Sequence, residues 1–250
     1  MPRGSRLPSA SALRAELRAE AGPPTHPDLR AYLGAPAPVL GVSAGGLDRI
    51  SRRFVRTNPA ISKAQLWAVL SELWGGKTYD ERALAIVLLT HVPHRLEGRL
   101  WNLAEGWVDE ATGWALSDAL ASGPIAREAA RTPHRWAEVA SWVRSPNLWR
   151  RRAALYAQNR LVQSGELGRP LRVIHALRKD PEFWVQRAVG TWLRECWKRD
   201  PARIRAYLWK EAALLPPVVI TVATERASAG YRARLRARAR SFRRLRAPSQ

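Results

Sequence analysis

Ser145-Pro146-Asn147-Leu148-Trp149-Arg150-Arg151-Arg152-Ala153 returns 35 positions later as Asp180-Pro181-Glu182-Phe183-Trp184-Val185-Gln186-Arg187-Ala188. A step of 35 back from Trp149 reaches Trp114, and a second reaches Tyr79, with Arg82-Ala83 behind it. An aromatic side chain thus recurs at 79, 114, 149 and 184. Apolar residues around these points repeat at three- and four-residue spacing: Leu66, Trp67, Leu70, Leu73 and Trp74, then Trp184, Ala188, Trp192 and Cys196. That is the period of one helix face. A helical unit repeated at this interval predicts an all-α fold, a HEAT-like solenoid or α-α superhelix with a concave basic face.

Cap-and-proline pairs at Asn58-Pro59, Ser145-Pro146, Asp180-Pro181 and Asp200-Pro201 are expected to open helices. The first side chain accepts from free backbone N–H groups, and proline suits the first turn. Pro217 to Val222 (PVVITV) is the best strand candidate, yet Pro216-Pro217 before it reads better as a helix start. Residues 9–21 form an amphipathic helix, and most of the 12 tryptophans fill the space between helix layers. Three segments are expected: a disordered arm at 1–8, a repeat domain at 9–228, and an Arg-rich tail at 229–250. The tail is helical or disordered, and its expected role is nonspecific attraction to phosphates.

One repeat deviates. The copies at 79, 149 and 184 carry Arg-Ala three and four residues after the aromatic, whereas the copy at Trp114 carries Ser117-Asp118. Repeat drift is one reading. The other is that one layer has been given a carboxylate, with Trp114 and Asp118 on the same helix face and Arg152 opening the next layer across the groove.

The 250 residues hold 42 Lys+Arg against 21 Asp+Glu, a formal net charge of +21. Such a charge favours phosphate backbones or anionic membrane surfaces as partners. Nearly all the cations are arginines, which grip phosphate bidentately; GC-rich coding also favours arginine, but does not explain the excess of base over acid. Cys196 is the only cysteine, so the chain has no internal disulfide and no Cys-based zinc site. The uncharged apolar run Ala83–Leu89 is too short to span a bilayer, and the N-terminus has no apolar signal region. The chain is therefore expected to be soluble and intracellular. His91 and His94 are three apart, a spacing that would put them on one helix face, but no nearby carboxylate or cysteine completes a metal site. The stretch Gly41–Gly46 lacks the Lys-Ser/Thr of a phosphate loop, and Ser43 lacks a His-Asp pair.

From about Leu13 to Ala227 the sequence resembles the bacterial DNA alkylation repair glycosylases of the AlkD type. The resemblance rests on Ala31-Tyr32-Leu33 through Leu40-Gly41-Val42, on Trp114-Ala-Leu-Ser-Asp118, on Asn147-Leu-Trp149-Arg-Arg-Arg152-Ala-Ala154, and on Glu182-Phe183-Trp184 with Ala188-Val-Gly190 and Leu193-Arg-Glu195. It implies a HEAT-like DNA repair glycosylase that removes cationic 3- or 7-alkylated purines from duplex DNA by hydrolysis, without full base flipping and without a cofactor or metal.

The resemblance makes Trp114, Asp118 and Arg152 the catalytic set. It places Tyr32, Ser43, Phe183 and Trp184 at secondary DNA-contacting positions, and Arg160 and Thr191 are counted with the DNA-binding residues. Thr191 stands where the family has a second active-site tryptophan. Trp192 is next door, but helix neighbours point roughly 100° apart. The expected partner is double-stranded DNA with alkylated purines, acted on by a cytoplasmic, nucleoid-associated monomer. The alternative is a noncatalytic HEAT-like nucleic-acid-binding scaffold.

Overall fold

The computed structural model describes residues 8–23, 26, 28–35, 37–92, 96 and 98–246. The expected disordered arm lies almost wholly outside them, as do His94 and the last four residues. Among the described residues the chain is helical with no strand, as the repeat spacing predicts. Among them, too, no helix is long and apolar enough to cross a membrane. The chain divides into two compact units, Met1–Glu128 and Ala129–Gln250.

The first unit contains α1 (Ala10–Ala19), α2 (Leu29–Leu33), α3 (Ala44–Thr57), α4 (Lys63–Trp74), α5 (Tyr79–His91), α6 (Leu100–Glu110) and α7 (Trp114–Leu120). A π-helical turn, Ala121–Ile125, leads into α8 (Ala126–Arg131), within which the division falls. Leu13 and Leu17 of α1, Ile50 and Phe54 of α3, Leu66 and Leu70 of α4, and Leu84 and Leu88 of α5 are buried, as are stacked Trp74 and Trp107, whose ring centroids lie 4.5 Å apart. Reciprocal capping boxes, Ser62 with Gln65 and Thr78 with Glu81, start α4 and α5.

The second unit holds α9 (Arg135–Ser141), α10 (Leu148–Tyr156), α11 (Asn159–Gln163), α12 (Gly168–Leu177), α13 (Phe183–Trp197), α14 (Pro201–Glu211), α15 (Pro217–Ala223) and α16 (Ala229–Arg246). Helix α13 is its centre: Val185, Ala188, Val189, Trp192, Leu193 and Cys196 are all buried. The PVVITV segment is the proline-opened helix α15 rather than a strand. The Arg-rich tail is helical as far as Arg246.

The period of 35 residues is a period of helix starts. Tyr79 and Trp114 are the first residues of their helices, Trp149 and Trp184 the second. The cap-and-proline pairs divide. Asp200 is a true cap, its carboxylate accepting from the Arg203 N–H at 2.9 Å, with Pro201 in the first turn. Ser145 and Asp180 act just before the helix: each side chain accepts the N–H two residues on, and Asn147 and Glu182 occupy the cap positions. Asn58-Pro59 does not open a helix. Asn58 closes α3, its amide donating to the Phe54 carbonyl at 2.8 Å, and Ser62 caps the next helix.

Candidate active site

Residues 83, 118, 153 and 188 occupy the same place in four successive repeats, four positions after the aromatic that marks each helix start. Three of them are alanines, 7 %, 0 % and 0 % exposed, and the fourth is Asp118, 8 % exposed. One position earlier the other copies carry Arg82, Arg152 and Arg187, and this copy carries fully buried Ser117. A place reserved for a methyl group therefore holds a carboxylate. Burying an ionised group costs free energy that a methyl does not.

Trp114 is fixed from behind by a backbone junction. Gly113, just before α7, has φ of 86°, and Gly34, which closes α2, has φ of 65°. The two glycines pack backbone to backbone: a Cβ on Gly113 would lie 2.7 Å from the Leu33 carbonyl oxygen, and closer still to that of Gly34. Only paired glycines permit this approach. Its result is that the Tyr32 carbonyl accepts the Trp114 indole N–H, and the Tyr32 ring meets the indole edge-on, 5.5 Å between centroids. His26 stacks with Tyr32 at 4.8 Å. Tyr32 is 51 % exposed and Trp114 half-buried, so the aromatic pair meets solvent.

Beyond Asp118 the helix widens into the π-helical turn, which contains Pro124. Proline supplies no N–H and crowds the carbonyl four residues back, and the wider turn relieves both. The Ser122 hydroxyl donates to the Asp118 carbonyl at 2.6 Å and ties the last turn of α7 down.

In the second unit, Arg152 is a buried guanidinium. One nitrogen donates to the Trp184 carbonyl, another to the Tyr156 hydroxyl at 3.0 Å, and the group lies 4.9 Å from the centroid of the Tyr156 ring. Tyr156 in turn meets Trp192 edge-on at 5.5 Å. Trp192 is buried on the inner side of α13 and Thr191 is half-exposed beside it, so the tryptophan belongs to the core. Phe183 is 52 % exposed and packs edge-on against half-buried Trp184, which lies 6.3 Å from Trp149. Arg160 is exposed on α11, and Ser43 is the exposed cap of α3.

Other buried carboxylates serve the fold. Asp80 accepts from the Leu40 and Val42 N–H groups at 2.6 and 2.9 Å; Asp180 takes Arg151 through two nitrogens; Glu211 takes Arg178. Burial pushes the Glu81 carboxyl up, but its bonds from Arg14 and Thr78 outweigh that and hold it below the ordinary range.

A constellation invisible in the sequence is Ser51–His91–Asp48. The Ser51 hydroxyl lies 2.8 Å from His91 Nδ1, and His91 Nε2 lies 3.2 Å from Asp48. The order matches a nucleophile–base–orienter relay, but Ser51 is wholly buried inside α3 and out of a substrate's reach. Burial, aided by Arg52 and Arg127, holds the His91 imidazole below its usual pKa against the opposing pull of Asp48. Among the described residues no three His, Cys, Asp or Glu side chains are grouped to hold a metal ion.

Residues 13–227 match the sequence profile of the DNA alkylation repair enzyme family. Several solved structures share the fold. A predicted DNA alkylation repair enzyme from Enterococcus faecalis is 19 % identical with a TM-score of 0.69, over 84 % of this chain and 99 % of that one. AlkD2 from Streptococcus mutans is 16 % identical with a TM-score of 0.63, over 87 % of this chain and 98 % of the other. No curated protein sequence matches the chain.

Proposed function

Because the chain belongs to the DNA alkylation repair enzyme family, we propose that it is a glycosylase. It hydrolyses the N-glycosidic bond of cationic 3- or 7-alkylated purines in duplex DNA. One observation carries the reading: Asp118 puts a carboxylate where three sister repeats bury alanine, one helical turn from an indole held with its ring at solvent.

The chemistry suits such a pair. Alkylation at N3 or N7 gives the purine a positive charge and makes it a good leaving group, so no strong acid is needed to expel it. The sugar acquires oxocarbenium character as the bond breaks. An anion already in place stabilises that charge without reorganising, and it orients the attacking water. The indole of Trp114 packs against the sugar and turns its negative face to the cation. A shallow aromatic surface of this kind suits a lesion that stays in the duplex rather than one extruded into a pocket. In the second unit, buried Arg152 braces the Trp184 carbonyl and the Tyr156 ring from within, and Arg160, Phe183, Trp184 and Thr191 contribute contacts to the DNA backbone, as do Tyr32 and Ser43 in the first.

The test is base release from duplexes carrying 7-methylguanine, 3-methyladenine or a bulky N3 adduct, read by chromatography of the free base. A glycosylase releases the base and leaves an abasic site. A noncatalytic scaffold binds the same duplexes and releases nothing from any of them.

A further inference from the structure

The family match ends at Ala227, and α16 begins two residues later. Between Ala229 and Arg246 this helix carries eight arginines and no acid. It is not a loose tail. Leu235 and Ala239 are buried. The Tyr231 ring packs edge-on against Trp197 at 5.5 Å. Arg238 holds the helix in place: its guanidinium lies 4.7 Å from the Trp209 ring centroid and 4.8 Å from that of Phe242, and it donates to the Trp209 carbonyl at 2.9 Å.

These anchors fix the rotation of the helix. With 3.6 residues per turn, the inward position of Leu235, Arg238 and Ala239 turns Arg234, Arg236 and Arg240 outward beside Ala233 and Ala237, and all five are exposed.

We propose that this outward face of α16 is a phosphate-binding surface for duplex DNA, independent of base sequence and of the Trp114–Asp118 site. The apolar stripe of the helix is already used inward. Among the described side chains, what faces out is guanidinium, alanine and Ser241, with nothing large and apolar to enter a bilayer or to anchor a protein interface. Guanidinium forks match phosphate oxygens, and binding them releases counterions from the duplex. The choice of DNA rests on family membership, not on the lesion chemistry.

The experiment uses the full chain with the substitutions Arg234→Gln, Arg236→Gln and Arg240→Gln, and an unmodified duplex. Binding is measured across a salt series. Removing one arginine–phosphate pairing lowers the slope of log K against log salt by about 0.9, so the triple variant is expected to show a slope shallower by about 2–3. A folded variant with the wild-type slope overturns the proposal. So does a variant that loses binding only to phosphatidylserine–phosphatidylcholine vesicles.

If the triple variant fails to fold, Ala233→Glu with Ala237→Glu places two carboxylates on the same face and leaves the packing intact. It is expected to weaken duplex binding at low salt, and unchanged binding refutes the assignment. A chain that releases no alkylated base, yet shows the change of slope, removes the glycosylase reading and keeps this one.

Discussion

Gly113→Ala tests how the fold aims Trp114. Two costs combine. The residue sits at φ of 86°, where an L side chain is strained by about 1–3 kcal/mol. The new methyl also meets two carbonyl oxygens of the α2 turn, neither of which can rotate away as a side chain would. To regain ordinary contact, α2 and α7 must part by about 1 Å. That breaks the bond from the Trp114 indole to the Tyr32 carbonyl, worth about 1 kcal/mol, and loosens the edge-on contact of the two rings, worth about as much again. The total is about 3–5 kcal/mol, which at about 2–4 °C per kcal/mol for a chain of this size lowers the melting temperature by roughly 6–20 °C. Below that transition, single-turnover base release falls by about 100-fold, the usual consequence of misplacing a reacting group by about 1 Å. Tyr32→Ala is the control: it keeps the carbonyl, removes a half-exposed ring, and costs about 1 kcal/mol or less. Wild-type melting for Gly113→Ala, or wild-type release at saturating DNA, refutes the argument that the glycine junction sets the indole.

Other consequences follow from single groups. Asp80→Ala orphans the Leu40 and Val42 N–H groups and destabilises the chain by about 2–4 kcal/mol in chemical denaturation. The lowered pKa of His91 means that the unfolded chain takes up a proton before the folded chain does, so stability falls as pH drops below about 6.5. His91→Gln flattens that part of the stability–pH curve by up to about 1.4 kcal/mol per pH unit; an unchanged slope contradicts the assignment. Burial pushes the Cys196 thiol up to about 12, so thiol reagents leave the native chain unmodified at neutral pH and label it only after unfolding.

The repeat was legible in the sequence because each helix start needs a bulky aromatic at one place and a small residue at another, and 35-residue spacing brings those needs round again. Asp118 stood out against that pattern for the same reason. Asn58-Pro59 misled because asparagine closes a helix as readily as it opens one, and the true cap of α4, Ser62 with Gln65, lay four residues on. What stayed hidden depends on contacts distant in the chain. The Gly34–Gly113 junction joins two glycines that nothing local connects, and Ser51 and His91 lie 40 residues apart. The packed side of α16 includes Tyr231, Leu235 and Ala239, which arginines outnumber along the helix, so composition alone left the tail helical or disordered. Arg152 was expected in the catalytic set, and its burial against Tyr156 became visible only once α10 and α13 were packed.

The most direct test of the central claim is base release from duplex DNA containing 7-methylguanine, comparing the wild-type chain with Asp118→Asn. The account predicts free 7-methylguanine from the wild type. It predicts a loss of about 100-fold or more in the variant, the scale of removing one preorganised electrostatic group, with affinity for the duplex retained. Equal release by both chains would contradict it.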